Sequence, residues 1–499
     1  MVITSFSFLL YFLPIMLVGY FLLSSFKKAR NIWLVLCGLA FYFLNGIECL
    51  ILLVAIALLN YIMGFAMNQI ANKVSNPNLK AVRAGKEKVH KSVRGIMALS
   101  VFINITPIII LVVLPQLFGN PPYGIEYSLM SSFMAPFAIA FLTLQGISYT
   151  ADIYRGNVKW DSNILNTLVY FTMFFVVFAG PIIKYHEMAP QIEDRKSTFD
   201  KTASGIGRLV IGLAKLCIIA EPLLAISKMV TDTSNMSGVY SSAPISLMLV
   251  GLACCVIGMF HFLSGFNDVA VGIGRMLGFT LPENFRHPHL ALTVTAFWQR
   301  CYCTLTDWFD EYVYSALSKR RSNNDRMVLH MLLIWLLIGL WIGPTIPHLI
   351  FGFWNFAFLL FEKIVEMREK TKVPGLRSLY VMIVAVISVI ALNSSGMYQF
   401  TLYISNLVGM KGYGFESGLA LVLLQEYWPL LLVGLIASFP IATKIKQLAE
   451  SKKGFHSTAY SILYPIAMVI LVVLIVLRLS GVSFDPTQIF NTFMWRGQA

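Results

Sequence analysis

Apolar runs long enough to cross a lipid bilayer recur from one end of this chain to the other, and no other feature constrains its fold as strongly. A spanning helix needs about 20 apolar residues to cross the ~30 Å hydrocarbon core. Such runs lie at 4–24, 32–66, 96–117, 131–150, 163–183, 205–230, 243–264, 328–362, 376–393, 418–440 and 459–479. Inside the core no water reaches the backbone amides, so a chain crosses only as helices or as a closed barrel. Barrel strands would alternate apolar and polar over ~10 residues, and these runs do not alternate. The expected fold is an all-α polytopic membrane protein with about 11 to 13 spans, forming a single membrane-embedded domain over 1–499. Composition agrees: 57% of residues are hydrophobic and 12% charged, against about 45–50% and 25% in soluble proteins.

Two runs are too long for one span. NGIE at Asn45–Glu48 breaks 32–66 into a predicted hairpin of two short helices. GPTIP at Gly343–Pro347 breaks 328–362, because Pro344 and Pro347 remove backbone donors and end a helix. The first run, Thr4–Ser25, has no basic leader and no A-x-A site, and is read as a retained helix.

The net charge is +14, but Lys and Arg sit in short loops between the runs. That is the positive-inside pattern of a membrane protein. No basic face with interleaved aromatics points to nucleic acid. The loops at 26–31, 69–94 and 443–453 are basic and read as cytoplasmic, whereas Gly119–Tyr127 has no Lys or Arg and reads as external. The N-terminus is then expected outside. Cys37, Cys49, Cys217, Cys254, Cys255, Cys301 and Cys303 lie mostly in apolar runs without zinc-site spacing. Neither a disulfide framework nor a metal is expected.

Ionisable groups within apolar surroundings are the first candidates for function. Four stretches carry them. LQGISYTADIYRG holds Asp152 and Arg155, three residues apart on one helix face. FAGPIIKYHEMAPQI places Lys184, His186 and Glu187 just after a Gly-Pro break. SGFNDVAVGIGRMLGFTLPENFRHPHL holds Asp268 among glycines that permit close helix packing; no strand precedes its GIG, so a phosphate loop is rejected. AFWQRCYCTLTDWFDEYVYSALSKRR is dense in aromatics and has the acidic pair Asp310-Glu311. The segment Gly265–Arg326, which contains the last stretch and most of the third, admits two readings. It is a surface loop anchored by aromatics, or irregular backbone lining a water-filled cavity.

Together these motifs, in their order and spacing, resemble the membrane-bound O-acyltransferases. The likeness is to the bacterial branch that serves alginate O-acetylation and teichoic-acid D-alanylation. It runs from about Asn31 to Asn355 and includes NIWLVLCGLAFYF, the helix GIGRLVIGLAKLCIIAEPL and the closing GLW…FGFWN. The resemblance implies a ring of helices around a funnel pinched to a tunnel at mid-membrane. Through it an acyl group passes from a cytoplasmic donor, an acyl-CoA or acyl carrier protein, to an acceptor outside. It also implies a motif-bearing core at about 31–362 followed by C-terminal helices at 376–479. Trp298, Arg300, Tyr302, Trp341 and Asp268 are then expected to line the tunnel, with Ile342, Trp341, Tyr302 and Trp298 close together.

The resemblance also implies a catalytic histidine, at the fourth position of G-L-W-H-G, where this chain has Ile342. A second family histidine, in F-W-x-R-W-H-x-S-L, is matched by Tyr302, with Cys301 in place of the preceding Trp. The departure matters because a hydroxyl acceptor at neutral pH needs a base, and a positioned one contributes ~10²–10⁴-fold. Isoleucine carries no proton. A phenol of pKa ~10 orients a carbonyl better than it takes a proton. The candidate substitutes are His348 and His261. On an unbroken helix His348 would lie ~240° round and ~9 Å along from Ile342, facing elsewhere unless the Pro344/Pro347 break turns the chain back. His261 sits in an apolar helix, and His287 and His289 flank Pro288 and are expected at the cytoplasmic funnel or in solvent. A thiol relay through Cys301 or Cys303 would need a lowered pKa, with Arg300 the one nearby cation.

Three functions compete. The first is transfer of a small, acetyl-like acyl group across a bacterial inner membrane to an envelope polysaccharide or glycan, with an acyl-accepting partner protein or glycan outside and an acyl carrier inside. The second is a catalytically silent homologue serving as a structural or binding partner of an envelope-modifying assembly. The third, a transporter, lacks the inverted repeats it should show.

Overall fold

A computed structural model describes residues 3–73, 91–113, 134–231, 243–318, 324–367, 373–410, 414–451 and 455–481. Their regular elements are helices; one isolated antiparallel bridge, Phe285 with Cys301, is the extended pairing among them. In chain order the helices are α1 (Phe8–Leu22), α2 (Lys27–Phe43), α3 (Ile47–Lys73), α4 (Lys91–Ile108), α5 (Met134–Arg155), α6 (Ile164–Phe171), α7 (Tyr185–Glu193), α8 (Phe199–Thr231) and α9 (Ile245–Met276). They continue with α10 (Val294–Trp298), α11 (Cys303–Phe309), α12 (Asn324–Ile342), α13 (Ile346–Ile364), α14 (Pro374–Leu392), α15 (Met397–Leu407), α16 (Gly418–Ser438), α17 (Ile441–Ser451) and α18 (Phe455–Gly481).

Seven stretches among the described residues are long and apolar enough to span: Ile47–Ile70, Lys91–Leu111, Phe199–Thr231, Ile245–Met276, Pro374–Leu392, Gly418–Ser438 and Tyr460–Ser480. The protein is thus an all-α, multi-pass membrane protein. Seven is fewer than the number of apolar runs because several runs fold as shorter helices, among them Phe8–Leu22, Ile164–Val176 and Arg326–Ile342. Both predicted breaks occur: α2 ends at Phe43 and α3 begins at Ile47, and α12 ends at Ile342 three residues before the Thr345 cap of α13. The loops 74–90 and 114–133, on which the orientation chiefly rests, lie outside the described residues.

The chain divides into two compact units. The first comprises Met1–Gly205, Ala270–Pro282 and Asp307–Ala316. Polar side chains join its helices where lipid would otherwise leave them unsatisfied. Asn60 of α3 and Asn104 of α4 exchange two amide hydrogen bonds at 2.9 Å, and Ser100 bonds Thr150 of α5 at 2.7 Å. Gly146 of α5 permits this approach, since a Cβ there would lie 1.9 Å from the Asn104 oxygen. Buried Arg195 donates to Asn31 of α2 at 2.8 Å and stacks 4.3 Å over Phe279.

The second unit comprises Ile206–Val269, Glu283–Thr306 and Leu317–Ala499. Its apolar core is built from α8, α9, α14, α15 and α16 around Leu223, Leu247, Met248, Ile390 and Leu423. Gly212 of α8 meets α9 directly, a Cβ there being 2.7 Å from the Gly265 carbonyl. Gly265, one of the glycines in the SGFND stretch, thus lets these helices approach at backbone distance.

Candidate functional site

The two family-histidine positions, their candidate substitutes and the residues expected to line the tunnel all fall within the second unit. Its most constrained feature is the antiparallel hairpin of α12 and α13. Three glycines set the crossing. A Cβ on Gly339 would lie 2.3 Å from the His348 carbonyl, and one on Gly352 would lie 2.4 Å from that of Trp335. A Cβ on Gly343 would lie 2.6 Å from the His348 imidazole. The two prolines therefore do turn the chain back. His348 does not face away, as on an unbroken helix; its ring covers the residue that follows Ile342. Ile342 and Trp341 are both buried.

Local chemistry orients this ring. Thr345 is the N-cap of α13, where a threonine hydroxyl ordinarily accepts from the N2 or N3 amide. Here N2 is Pro347, which has no N–H, and the His348 amide bonds the Thr345 carbonyl at 3.1 Å. The Thr345 hydroxyl is left to pair with His348 Nδ1, at 2.6 Å. Nε2 is buried, with no hydrogen-bond partner among the described residues, and the residue is 5% exposed.

The segment carrying Trp298 and Tyr302 docks on the same hairpin. The free amides of Val294 and Thr295, at the start of α10, both donate to the Glu362 carboxylate on the last turn of α13, as does the Thr295 hydroxyl at 2.7 Å. Trp298 Nε1 donates to Asn355 of α13 at 2.8 Å, and its ring packs edge-on against Trp335 of α12 and Phe351 of α13. Asn355 donates in turn to Ser388 of α14. Tyr302 is buried, with its ring 6.0 Å from Phe285 and its backbone in the left-handed region, φ 51°. It is held so by pairing on both sides: Arg286 N–H to the Arg300 carbonyl, and Cys303 N–H to that of Asn284. Asn284 also accepts from the Thr304 amide and hydroxyl. A non-glycine residue in this region costs of order 1–3 kcal/mol, which its surroundings must over-determine. Burial lifts the Tyr302 phenol above its ordinary range and pushes the Cys301 thiol up to about 12, the opposite of what a thiol relay needs.

Asp268 joins an ion network. Its carboxylate bonds Arg208 and Lys215 of α8, both at 2.7 Å, and Arg208 reaches Glu283 at 2.6 Å. Lys215 opens a π-helical turn, Lys215–Ala220, which locally widens α8; such turns often occur at functional positions. Sequence reading missed Arg208 and Lys215, although cations inside an apolar run are a signal in themselves.

His261 is held by α16, its Nε2 bonding the Gly434 carbonyl at 2.7 Å and Ser438 at 3.2 Å, with Nδ1 unpartnered. His287 bonds the Ser438 carbonyl at 3.0 Å, and His289 packs against Phe439. Burial, aided by His287, lowers the His289 pKa to about 4, so it stays neutral.

The first unit has its own polar cluster. Fully buried Asp152 accepts from the backbone amide of His186 at 2.9 Å, from its Nδ1 at 3.1 Å and from the Tyr312 hydroxyl at 2.8 Å. Lys184 meets Glu311 at 2.6 Å, and Arg155 lies 4.0 Å from the same carboxylate. A π-helical turn, Asp310–Tyr314, presents Glu311 and Tyr312. Asp152, His186 and Glu311 lie close enough to hold a metal. The donor set argues against one, because Asp152 is occupied by four donors, the Asn157 amide at 3.0 Å included, and Glu311 by an ammonium.

These features define a multi-pass α-helical membrane protein with charged and polar groups buried between its helices. A family model for the MBOAT, membrane-bound O-acyltransferase family, matches residues 157–392, which include Asp268, Tyr302, Ile342 and His348. The probable alginate O-acetylase of Pseudomonas fluorescens is 28% identical over 372 residues, 74% of this chain and 68% of that protein. The peptidoglycan O-acetyltransferase of Helicobacter pylori is 26% identical over 375 residues, 69% of this chain and 67% of its own. The teichoic acid D-alanyltransferase of Bacillus subtilis is 24% identical over 282 residues, 53% and 68% respectively. Over these residues the chain is similar to members of the membrane-bound O-acyltransferase family.

Proposed function

We propose that the protein transfers a small acyl group, acetyl or similar in size, to a cell-envelope polysaccharide or related glycan. It works from the inner membrane of a bacterium, and its donor is a cytoplasmic acyl thioester, acyl-CoA or an acyl carrier protein. The observation that supports this most directly is the set of relatives. Three of them, matched over half or more of this chain, bear names for acyl transfer to alginate, peptidoglycan and teichoic acid. Their acceptors differ while the reaction class does not, so the class carries over and the acceptor stays generic. A silent homologue gains no support from these relatives.

The test is genetic and chemical. Envelope polymers from wild-type, deletion and complemented strains are treated with mild alkali, and released small acids are quantified. The expected result is loss of ester-linked acyl groups on deletion and recovery on complementation. Equal ester content in all three strains refutes the proposal.

A further inference from the structure

We propose that His348 is the general base and proton relay of this protein's acyl transfer, in place of an imidazole at Ile342. The inference rests on the acyl-transfer reading above and is carried by the geometry of the α12–α13 hairpin. One nitrogen of the ring is fixed and the other is free to act. Nδ1 pairs with the Thr345 hydroxyl at 2.6 Å and Nε2 has no partner among the described residues; the tautomer that serves as base is the one in which Nδ1–H donates to that hydroxyl and the lone pair lies on Nε2. A polar atom left unpaired in a residue 5% exposed is costly to a fold, because it has given up water for nothing. Such a group calls for an explanation, and a catalytic role is one. The Thr345 hydroxyl is available because Pro347 has no amide to cap.

Placement along the hairpin favours the same role. At ~1.5 Å per residue, each 19-residue helix is about 28 Å long, close to the hydrocarbon thickness. The sequence flanking the open ends of the pair is basic: Lys319, Arg320, Arg321 and Arg326 at the start of α12, and Lys363, Arg368, Lys370 and Lys372 at and after the end of α13. The connecting Gly343–Thr345 turn has no charge. By the positive-inside rule the open ends face the cytoplasm and the turn faces out. His348 thus stands one turn inside the external face, where an envelope hydroxyl would arrive. Its cover there is thin, since Pro344 and Thr345 are half-exposed.

The step balances as follows. Nε2 takes the proton of the acceptor hydroxyl as its oxygen bonds to the acyl carbonyl carbon. The carbon–sulfur bond of the thioester then breaks, and the imidazolium returns the proton to the departing thiolate. His261 is the competing imidazole, also with one free nitrogen, but its Nε2 is tied to Gly434 and Ser438 of α16, where it joins two helices.

The experiment complements a deletion strain with wild type, His348→Gln, His348→Ala, Thr345→Val and His261→Gln. It measures alkali-released acyl groups per membrane-inserted protein, the latter by a fluorescent C-terminal fusion. The expected result is a ~10²-fold or greater fall for both His348 variants, the scale of a lost general base. Thr345→Val should give a smaller fall, with an altered pH dependence of ester formation in membrane vesicles supplied with acetyl-coenzyme A. His261→Gln should stay within a few-fold of wild type. If His348→Ala fails to accumulate, the near-isosteric Gln variant and Thr345→Val decide. Wild-type ester levels in His348→Gln overturn the assignment and leave acyl transfer standing. No ester from wild type itself overturns acyl transfer, and the base with it.

Discussion

Replacing Asp268 by asparagine tests whether the ion network between α8 and α9 holds those helices together. The carboxylate side chain is 4% exposed and neutralises two cations, Arg208 and Lys215, each at 2.7 Å. Asparagine keeps the shape but loses the charge, and its amide turns donors toward donors. Arg208 retains Glu283 at 2.6 Å, so the group left without its carboxylate is Lys215, whose side chain is 21% exposed. Stranding one member of a buried pair costs about 3–5 kcal/mol. Partial exposure lets water reach this ammonium, which places the expected loss at about 2–4 kcal/mol. The assay is a double-mutant cycle with Lys215→Met, read by heat-induced loss of the monodisperse species in detergent. The single Asp268→Asn variant should lose stability as above. The double variant should recover about 1–2 kcal/mol of it, because no unpaired cation remains. Costs that add within about 0.5 kcal/mol, the tolerance for independent sites, would refute the coupling.

The His186 cluster makes stability depend on pH. Its pKa is raised above 6.5, first by the hydrogen bond to Asp152 and then by the charges of Asp152, Glu311 and Glu187. The stabilisation is therefore complete below the unfolded value of about 6.5 and disappears as pH rises through the higher folded value. Melting between pH 6 and 9 should show that decline, and His186→Gln should flatten it; an unchanged slope sinks the idea. Gly352→Ala should cost at least about 1–3 kcal/mol, since its Cβ would sit 2.4 Å from a backbone carbonyl that cannot swing aside. Gly375→Ala, with nothing within 4 Å of its Cβ, should be neutral or slightly stabilising in the same melt; equal effects would show the hairpin to be looser than described. Asn355→Leu should cost about 1–3 kcal/mol by leaving the Trp298 indole N–H unpaired, and a melt matching wild type would remove that bond from the account.

The sequence alone determined the fold class. Apolar runs near 20 residues leave a bilayer-crossing chain no choice but helices, because every backbone group must be satisfied within its own segment. It also fixed the two hairpin breaks, since NGIE and the paired prolines interrupt helices by local chemistry, and the order of its motifs carried the family likeness. Tertiary structure decided which helix faces oppose one another. Asp268 was marked in the sequence, but not its partners Arg208 and Lys215 some 53–60 residues earlier, because helical phase says nothing about which neighbour a face will meet. Asp152 and Arg155 share a face as their spacing requires, yet the partners that define Asp152 are His186 and Tyr312, from distant segments. His348 shows the same limit most sharply. Residue spacing gives its angle only on a continuous helix, and two prolines discard that reference. The return angle was set instead by Gly339, Gly343 and Gly352, which let α13 lie against α12 at backbone distance and carry the imidazole over Gly343.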